Sequence, residues 1–408
     1  RVLFRSMHRF HCLLEADGKE RGPAVLMSSA TSFLEASPAY HINVGPHYLL
    51  KPRKIEHEGT KSVYRFKWIP DRENDDKALR YSGAGDMRER NLRCMVDALV
   101  RGGSDSEIYK SMRRFDFRED GIQRKAAFVV NSYDQAREIK GFLDRYHPDV
   151  GRRTKAVVRY LDEGEKPSDY VTSAQCEALG DDESCDLIVF PMMAIGRGVN
   201  IVFTKGPRQR DAAIGSIYFL TRPHPSTDDM QLLYGLAGRA TQEFGDRSFS
   251  DDEDLTAIFK EWDKARKGVY GLTRRLQQEP LMASRLAPEL FRPFAANQMV
   301  AILQTIGRGM RNGCPVRVYF VDAAWAPRSA EDKTDSARNS MLVQMRVVLE
   351  ECIKHPEPAI AAIYQELYGA FIEPMGRIEN VKYPKHLSQP EGSMFEDDGF
   401  DDDVSWEM

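Results

Sequence analysis

Three short apolar runs constrain this chain more than any other feature. Ala126 to Val130 (AAFVV), Leu187 to Phe190 (LIVF) and Val316 to Val321 (VRVYFV) are too short for core helices and are followed by polar or turn-forming residues. Strands buried on both faces read this way, and they occur in parallel sheets covered by helices on either side. Between the runs the apolar spacing changes. Met87, Leu92, Met95, Leu99 and Val100 mix with Arg and Glu at helical spacing, and Gly102 and Gly103 end the helix. Asn131, Ser132, Tyr133 and Asp134 are helix-start signals for a segment running through Leu143, and a further helix is expected from about Asn297 to Met310. A strand-like run at Ala24 to Met27 leads into Ser28, Ser29, Ala30 and Thr31. Strands alternating with helices predict an α/β fold with a parallel sheet and flanking helices.

A length of 408 residues suits two domains of ordinary size. With 42% apolar and 29% charged residues, the chain is neither disordered throughout nor embedded in a membrane, and no apolar stretch approaches the length of a span. The net charge is −4, yet 8 acids and no Lys or Arg lie in residues 391–408, which leaves the body at about +4. Any basic binding surface is therefore local. The tail reads as disordered and solvating, or as the dock for a protein partner. Six scattered cysteines without a CxxC pair point to a reducing, cytoplasmic setting. The chain opens on Arg1 in the string RVLFRSMHRF, which is expected of a fragment rather than of a natural start.

Residues 70–85 have the composition of a linker or loop, 205–215 form a basic loop carrying Lys205, Arg208 and Arg210, and 335–372 read as helices broken near Pro356 and Pro358. Several patterns carry little. His8, His11 and Cys12 lack a fourth metal ligand, Cys176 and Cys185 read as ordinary thiols, and LAGRATQ around Gly238 and Arg239 reads as a helix. Gly196 and Gly198 do not complete a dinucleotide fingerprint, because Ile201 stands where a third glycine belongs.

The chemistry concentrates in the string QTIGRGMRNG. On a helix, Gln304, Arg308 and Arg311 fall at i, i+4 and i+7, so one face presents an amide and two permanently charged guanidiniums, and Gly307 permits close approach. Such a face suits a phosphate, and a guanidinium offered across a domain boundary acts as an arginine finger in phosphoryl transfer. The competing reading is a solvated basic helix end.

Three further elements occur in order with it. Ser29-Ala30-Thr31 follows one expected strand, Asn131-Ser132-Tyr133 a second, and Gly196-Arg197-Gly198-Val199-Asn200 a third. Together with QxxGRxxR they resemble motifs III to VI of the superfamily two helicases. The strings VLMSSAT, AAFVVNSYDQAREI, IYFLTRPHPSTDD and ILQTIGRGMRNGCPVRVYFVDAAW resemble the XPD/DinG-type branch across roughly residues 24–325.

That resemblance implies a RecA-like, P-loop NTPase-type fold. Residues 1–70 would be the end of a first motor domain and a linker. Residues 71–333 would be the second motor domain with an insertion at about 201–296, followed by a helical extension over 334–390 and the acidic tail. The implied activity is that of an ATP-dependent helicase or translocase acting on DNA or RNA, as a single strand. By the same resemblance Arg308 and Arg311 would contact the γ-phosphate, Gln304 would position nucleotide or water, and Gly198, Asn200 and Gly307 would sit near the nucleotide. Ser29 and Thr31 would couple nucleotide state to the strand, and Ser132, Tyr133 and Arg197 would lie along it, Tyr133 being alternatively a packing aromatic. Asn200 departs from the family's usual Asp. No GxxxxGK[ST] string is present, so the residues that cradle ATP and Mg2+ would belong to a missing N-terminal motor half, and this chain alone is not expected to hydrolyse ATP. The rival expectation is a strand-binding scaffold subunit that keeps the fold without the motor.

Overall fold

A computed structural model describes residues 15–16, 19–20, 26, 29, 31–42, 45–50, 61–195, 199–224, 230–245, 250, 254–278, 283 and 286–387. One sheet of seven strands is formed by β1 Val63–Phe66, β2 Lys125–Val130, β3 Thr154–Val158, β4 Tyr170–Thr172, β5 Leu187–Pro191, β6 Ile214–Phe219 and β7 Arg317–Phe320. Their order is β1-β7-β6-β2-β5-β3-β4, and every neighbouring pair is parallel. The main helices are α1 Arg88–Val100, α2 Glu107–Arg114, α3 Tyr133–Tyr146, α4 Gln231–Gly245, α5 Leu255–Gln278, α6 Pro288–Gly309, α7 Met341–Ile353 and α8 Pro358–Gly376.

Alternation along the strands divides the core into two layers. Phe128 and Val130 join Leu92, Met95, Ile139 and Leu143 of α1 and α3 on one face. Ala127, Val129 and Phe219 join Met299, Val300 and Ile306 of α6 and Leu342 and Met345 of α7 on the other. The fold is thus α/β and RecA-like, a parallel sheet between helical layers.

The expected organisation changes in four places. β1 lies within 1–70 but pairs with β7, so the sheet takes its edge strand from that segment. β6 lies within 201–296 yet sits between β7 and β2, so that span cannot be an insertion as a whole. Its Ile217 to Phe219 belong to the string IYFLTRPHPSTDD, whose resemblance is to a strand followed by a Pro-rich loop, and Gly215 and Ser216 break the apolar run only ahead of them. Residues 70–85 hold a short antiparallel hairpin, Pro70–Asp71 with Asn74–Ala78. Helices α7 and α8 share one apolar cluster with α6 and the sheet, so they complete this core. Of the Ala24 to Met27 run only Leu26 is described, exposed and outside any strand, and the acidic tail lies outside the described residues.

The amino edge of the sheet is tied together by one side chain. Arg124, wholly buried just ahead of β2, donates to the carbonyls of Ala212 (2.9 Å), Ile214 (2.6 Å), Gly309 (2.9 Å), Pro315 (2.6 Å) and Phe115 (3.4 Å). Gly309, the last residue of α6, packs so closely here that a Cβ would lie 2.5 Å from Val316 Cγ2 and 3.2 Å from the Ile214 oxygen. Gly309→Ala is therefore expected to cost about 1–3 kcal/mol by overpacking. The readout is a lower urea midpoint at unchanged slope, and an unmoved midpoint would show that the α6 end is loosely held.

Among the described residues no helix is long and apolar enough to cross a membrane. Cys94, Cys176, Cys185, Cys314 and Cys352 are free thiols, and burial pushes Cys176 up to about 12 and Cys185 up to about 11.

Candidate functional site

Helix α6 packs across the sheet, and the residues singled out by sequence lie near its carboxyl end and around the groove that its middle lines. At the amino edge, Arg308 is buried in the last turn and its Nη1 donates to Asn200 Oδ1 at 3.0 Å. The Asn200 backbone N–H donates in turn to Glu177 Oε1 at 3.0 Å. Burial, and then the neighbouring Arg311 charge, push the Arg308 pKa down, while the Glu177 carboxylate pulls it up. Glu177 belongs to the 3-10 segment Ser173–Asp181, which backs onto Val202 so tightly that a Cβ at Gly180 would meet the Val202 oxygen at 1.9 Å. Glu177 is a site residue that sequence reasoning missed, because nothing local signals a contact to a residue 23 positions on.

Arg311 is near Arg308 but not on its helix face. α6 ends at Gly309, and Arg311 opens the 3-10 turn Arg311–Gly313, in which Asn312 (φ 57°) and Gly313 (φ 78°) take left-handed backbone. The expectation of one continuous face over Gln304, Arg308 and Arg311 is thus corrected: close packing of Gly309 stops the helix before its next turn. The outcome is one buried guanidinium and one exposed guanidinium side by side. Gly307 is half-buried, and a Cβ there would meet only Phe371 at 3.8 Å, so no group of the chain itself needs glycine at that position.

One turn before Arg308 on α6, Gln304 Nε2 donates to Thr31 Oγ1 at 2.8 Å. Ser29 stays exposed, its Oγ 2.6 Å from Ser32 Oγ. The segment 31–42 then follows α6 towards the other edge. Ser37 Oγ and the Ala39 N–H both donate to Asn297 Oδ1 (2.6 and 3.2 Å), and the Tyr368 hydroxyl of α8 donates to the Phe33 carbonyl at 3.2 Å.

At the carboxyl edge lies a groove of about 800 Å³. Chain leaving β2 enters α3, on one face of the sheet. Chain leaving the adjacent β5 carries Val199 and Ile201 into the core of the opposite face. Such a switch point opens a crevice at the strand ends. Asn131 to Asp134, Pro191 to Ala194, His224 and the α6 residues Phe294, Asn297 and Ala301 line it. Ser132 caps α3, its Oγ accepting from the Gln135 N–H at 3.2 Å. Tyr133 is half-buried at the groove wall with the Arg159 guanidinium 5.6 Å over its ring. Exposed Tyr160 and half-buried Arg137 line the same groove, the latter held by Glu165 at 2.8 Å and Asp162 at 3.1 Å. Buried Asp322 ties the loops behind it, accepting from the Ser82 hydroxyl (2.8 Å) and from the Arg222 (3.1 Å) and Ala324 (2.9 Å) N–H groups.

Gly198 and Arg197, expected beside nucleotide and strand, lie outside the described residues, as do His8, His11 and Cys12. Among the described residues no cluster of three or more His, Cys, Asp or Glu side chains is placed to hold a metal. No protein-family model matches the chain, and no curated protein matches it.

Proposed function

We propose that this chain is the C-terminal part of a nucleic-acid-dependent ATPase of helicase or translocase type, with residues near its start belonging to the first of two motor domains. The observation that carries the reading is that three of the four sequence elements, scattered from Thr31 to Arg311, meet at one helix, where Gln304 bonds Thr31 and Arg308 bonds Asn200, while the fourth, Asn131 to Tyr133, shares a groove with that helix. A scaffold that only needed the fold has no use for an exposed guanidinium beside a buried, anchored one.

In this reading the two arginines have separate duties. Arg308, fixed by Asn200 and backed by Glu177, shapes the surface, while Arg311, free to reach outward, stabilises negative charge on a phosphoryl group presented by a facing motor domain. ATP is the substrate, and its β- and γ-phosphates and Mg2+ would be cradled by residues outside this chain. Ser132, Tyr133 and Arg159 hold a single strand at the carboxyl edge through a helix N-terminus, an aromatic face and a cation. Segment 31–42, bonded to α6 at Gln304 and Asn297, links the arginine end to the groove end.

The test compares the 408-residue chain with the intact gene product. The chain is expected to bind single strands without hydrolysing ATP, and the intact product to hydrolyse ATP only with a strand present. Strand binding by the intact product that is indifferent to ATP, with no turnover, overturns the motor reading in favour of the scaffold.

A further inference from the structure

The arm formed by α4 and α5 leaves the groove and exposes a surface that neither the arginine site nor the groove uses. Gln231 and Leu232, at the start of α4, line the groove, and α4 packs along α5. On the 24-residue α5, Phe259, Trp262, Arg266 and Tyr270 follow at helical spacing along one stripe. Phe259 is 65% exposed, Trp262 42% and Tyr270 69%. The Phe259 and Trp262 rings sit 5.4 Å apart, and the Arg266 guanidinium lies 5.4 Å from the Trp262 ring. Three large aromatics left in water on one helix face are costly unless something covers them.

Beside this stripe runs a second one. Lys260, Lys264, Lys267 and Arg274 recur four, seven and fourteen residues apart, all exposed. Lys267 pairs with Asp263 at 2.6 Å, whereas Lys260, Lys264 and Arg274 make no ion pair with a described residue. An aromatic stripe flanked by a basic stripe is complementary to a ligand that alternates flat apolar faces with anionic charges at short repeat, and single-stranded nucleic acid has that chemistry. An acidic protein segment would match the charges but would not need three exposed rings.

We infer that the outer face of α5 is a second contact for single-stranded nucleic acid, with Phe259, Trp262 and Tyr270 stacking on bases and Lys260, Lys264 and Arg274 meeting phosphates. The inference rests on the motor reading for the class of ligand, but not on ATP hydrolysis or on the groove.

Titration of the 408-residue chain with oligothymidylate, followed by anisotropy of the labelled strand and by tryptophan emission, tests it. Binding is expected to quench Trp262. Trp262→Phe should abolish that quenching and keep most of the affinity, and Phe259→Ala with Trp262→Ala should weaken binding by about 30-fold or more. Lys260→Gln, Lys264→Gln and Arg274→Gln together should flatten the slope of log affinity against log salt by about two. Tyr133→Ala, which alters the groove, should leave the quenching in place, so failure of the groove and failure of this surface are told apart. Unchanged affinity and salt slope in α5 variants whose far-ultraviolet circular dichroism is native overturns the inference. So does quenching by polyglutamate but not by oligothymidylate, which assigns the face to an acidic protein. A change in Trp262 emission on removing residues 391–408, with no response to oligothymidylate, assigns it to the chain's own tail and equally overturns the proposal.

Discussion

Arg311→Ala in the intact gene product is expected to lower strand-stimulated ATP hydrolysis by about 1,000-fold or more, the scale of an arginine finger, while strand affinity stays nearly constant. The expectation follows from where the side chain is. Arg311 is exposed, lies past the end of α6, and is set in a turn fixed by left-handed Asn312 and Gly313, so truncating it removes no core contact. Its loss therefore reads as lost stabilisation of the transition state alone, with unfolding unchanged. Arg311→Lys should recover little, because an ammonium cannot reproduce the planar, two-pronged contact of a guanidinium. Arg308→Ala should differ in kind. That side chain is buried against Asn200, so its removal should lower both hydrolysis and the midpoint of thermal unfolding. Stimulated turnover retained by Arg311→Ala would remove the arginine from the reaction and the motor assignment with it.

The strands of this molecule that were legible in sequence are those whose apolar run is unbroken. β2, β5 and β7 are covered on both faces, so their residues are apolar almost without interruption, and each run is visible without reference to the rest of the chain. β1, at the sheet edge, alternates half-buried and buried positions with Arg65 among them, β4 has only three residues, and β6, though buried throughout, carries Gly215 and Ser216 after Ile214. Neither β1 nor β4 gives a run that stands out from turns of similar composition, and the IYF of β6 was readable as a strand only through the resemblance of IYFLTRPHPSTDD. For the site, residue types were readable and their geometry was not. The spacing of Gln304 and Arg308 gave their common face, since helix periodicity is local. The break before Arg311 depends on Val316 and Ile214 lying against Gly309, contacts that only the assembled sheet creates. Glu177 and Arg159 likewise reach Asn200 and Tyr133 through the tertiary fold.

The residue on which the arginine site depends most for its shape carries none of the expected motifs. Arg124→Met is expected to destabilise the chain by at least about 3 kcal/mol, a large part of the stability of an ordinary domain. Five carbonyl oxygens from four separate parts of the chain accept from this one guanidinium, and a thioether of similar length replaces none of those donors. Burial pushes the Arg124 pKa down to about 10, which still leaves it charged at neutral pH, so the carbonyl oxygens are its compensation and it is theirs. Arg124→Lys is the informative companion. Three donors on a flexible stem hold some of the carbonyls and not the full set, so the urea midpoint should fall between the parent and Arg124→Met. Two of the oxygens, those of Gly309 and Pro315, bracket the turn that carries Arg311. In the intact protein Arg124→Lys should therefore reduce stimulated hydrolysis more than strand binding, even at temperatures where the fold is retained. A midpoint for Arg124→Met equal to that of the parent would show that the amino edge is held by the sheet alone, and that the placement of Arg311 owes nothing to the clamp.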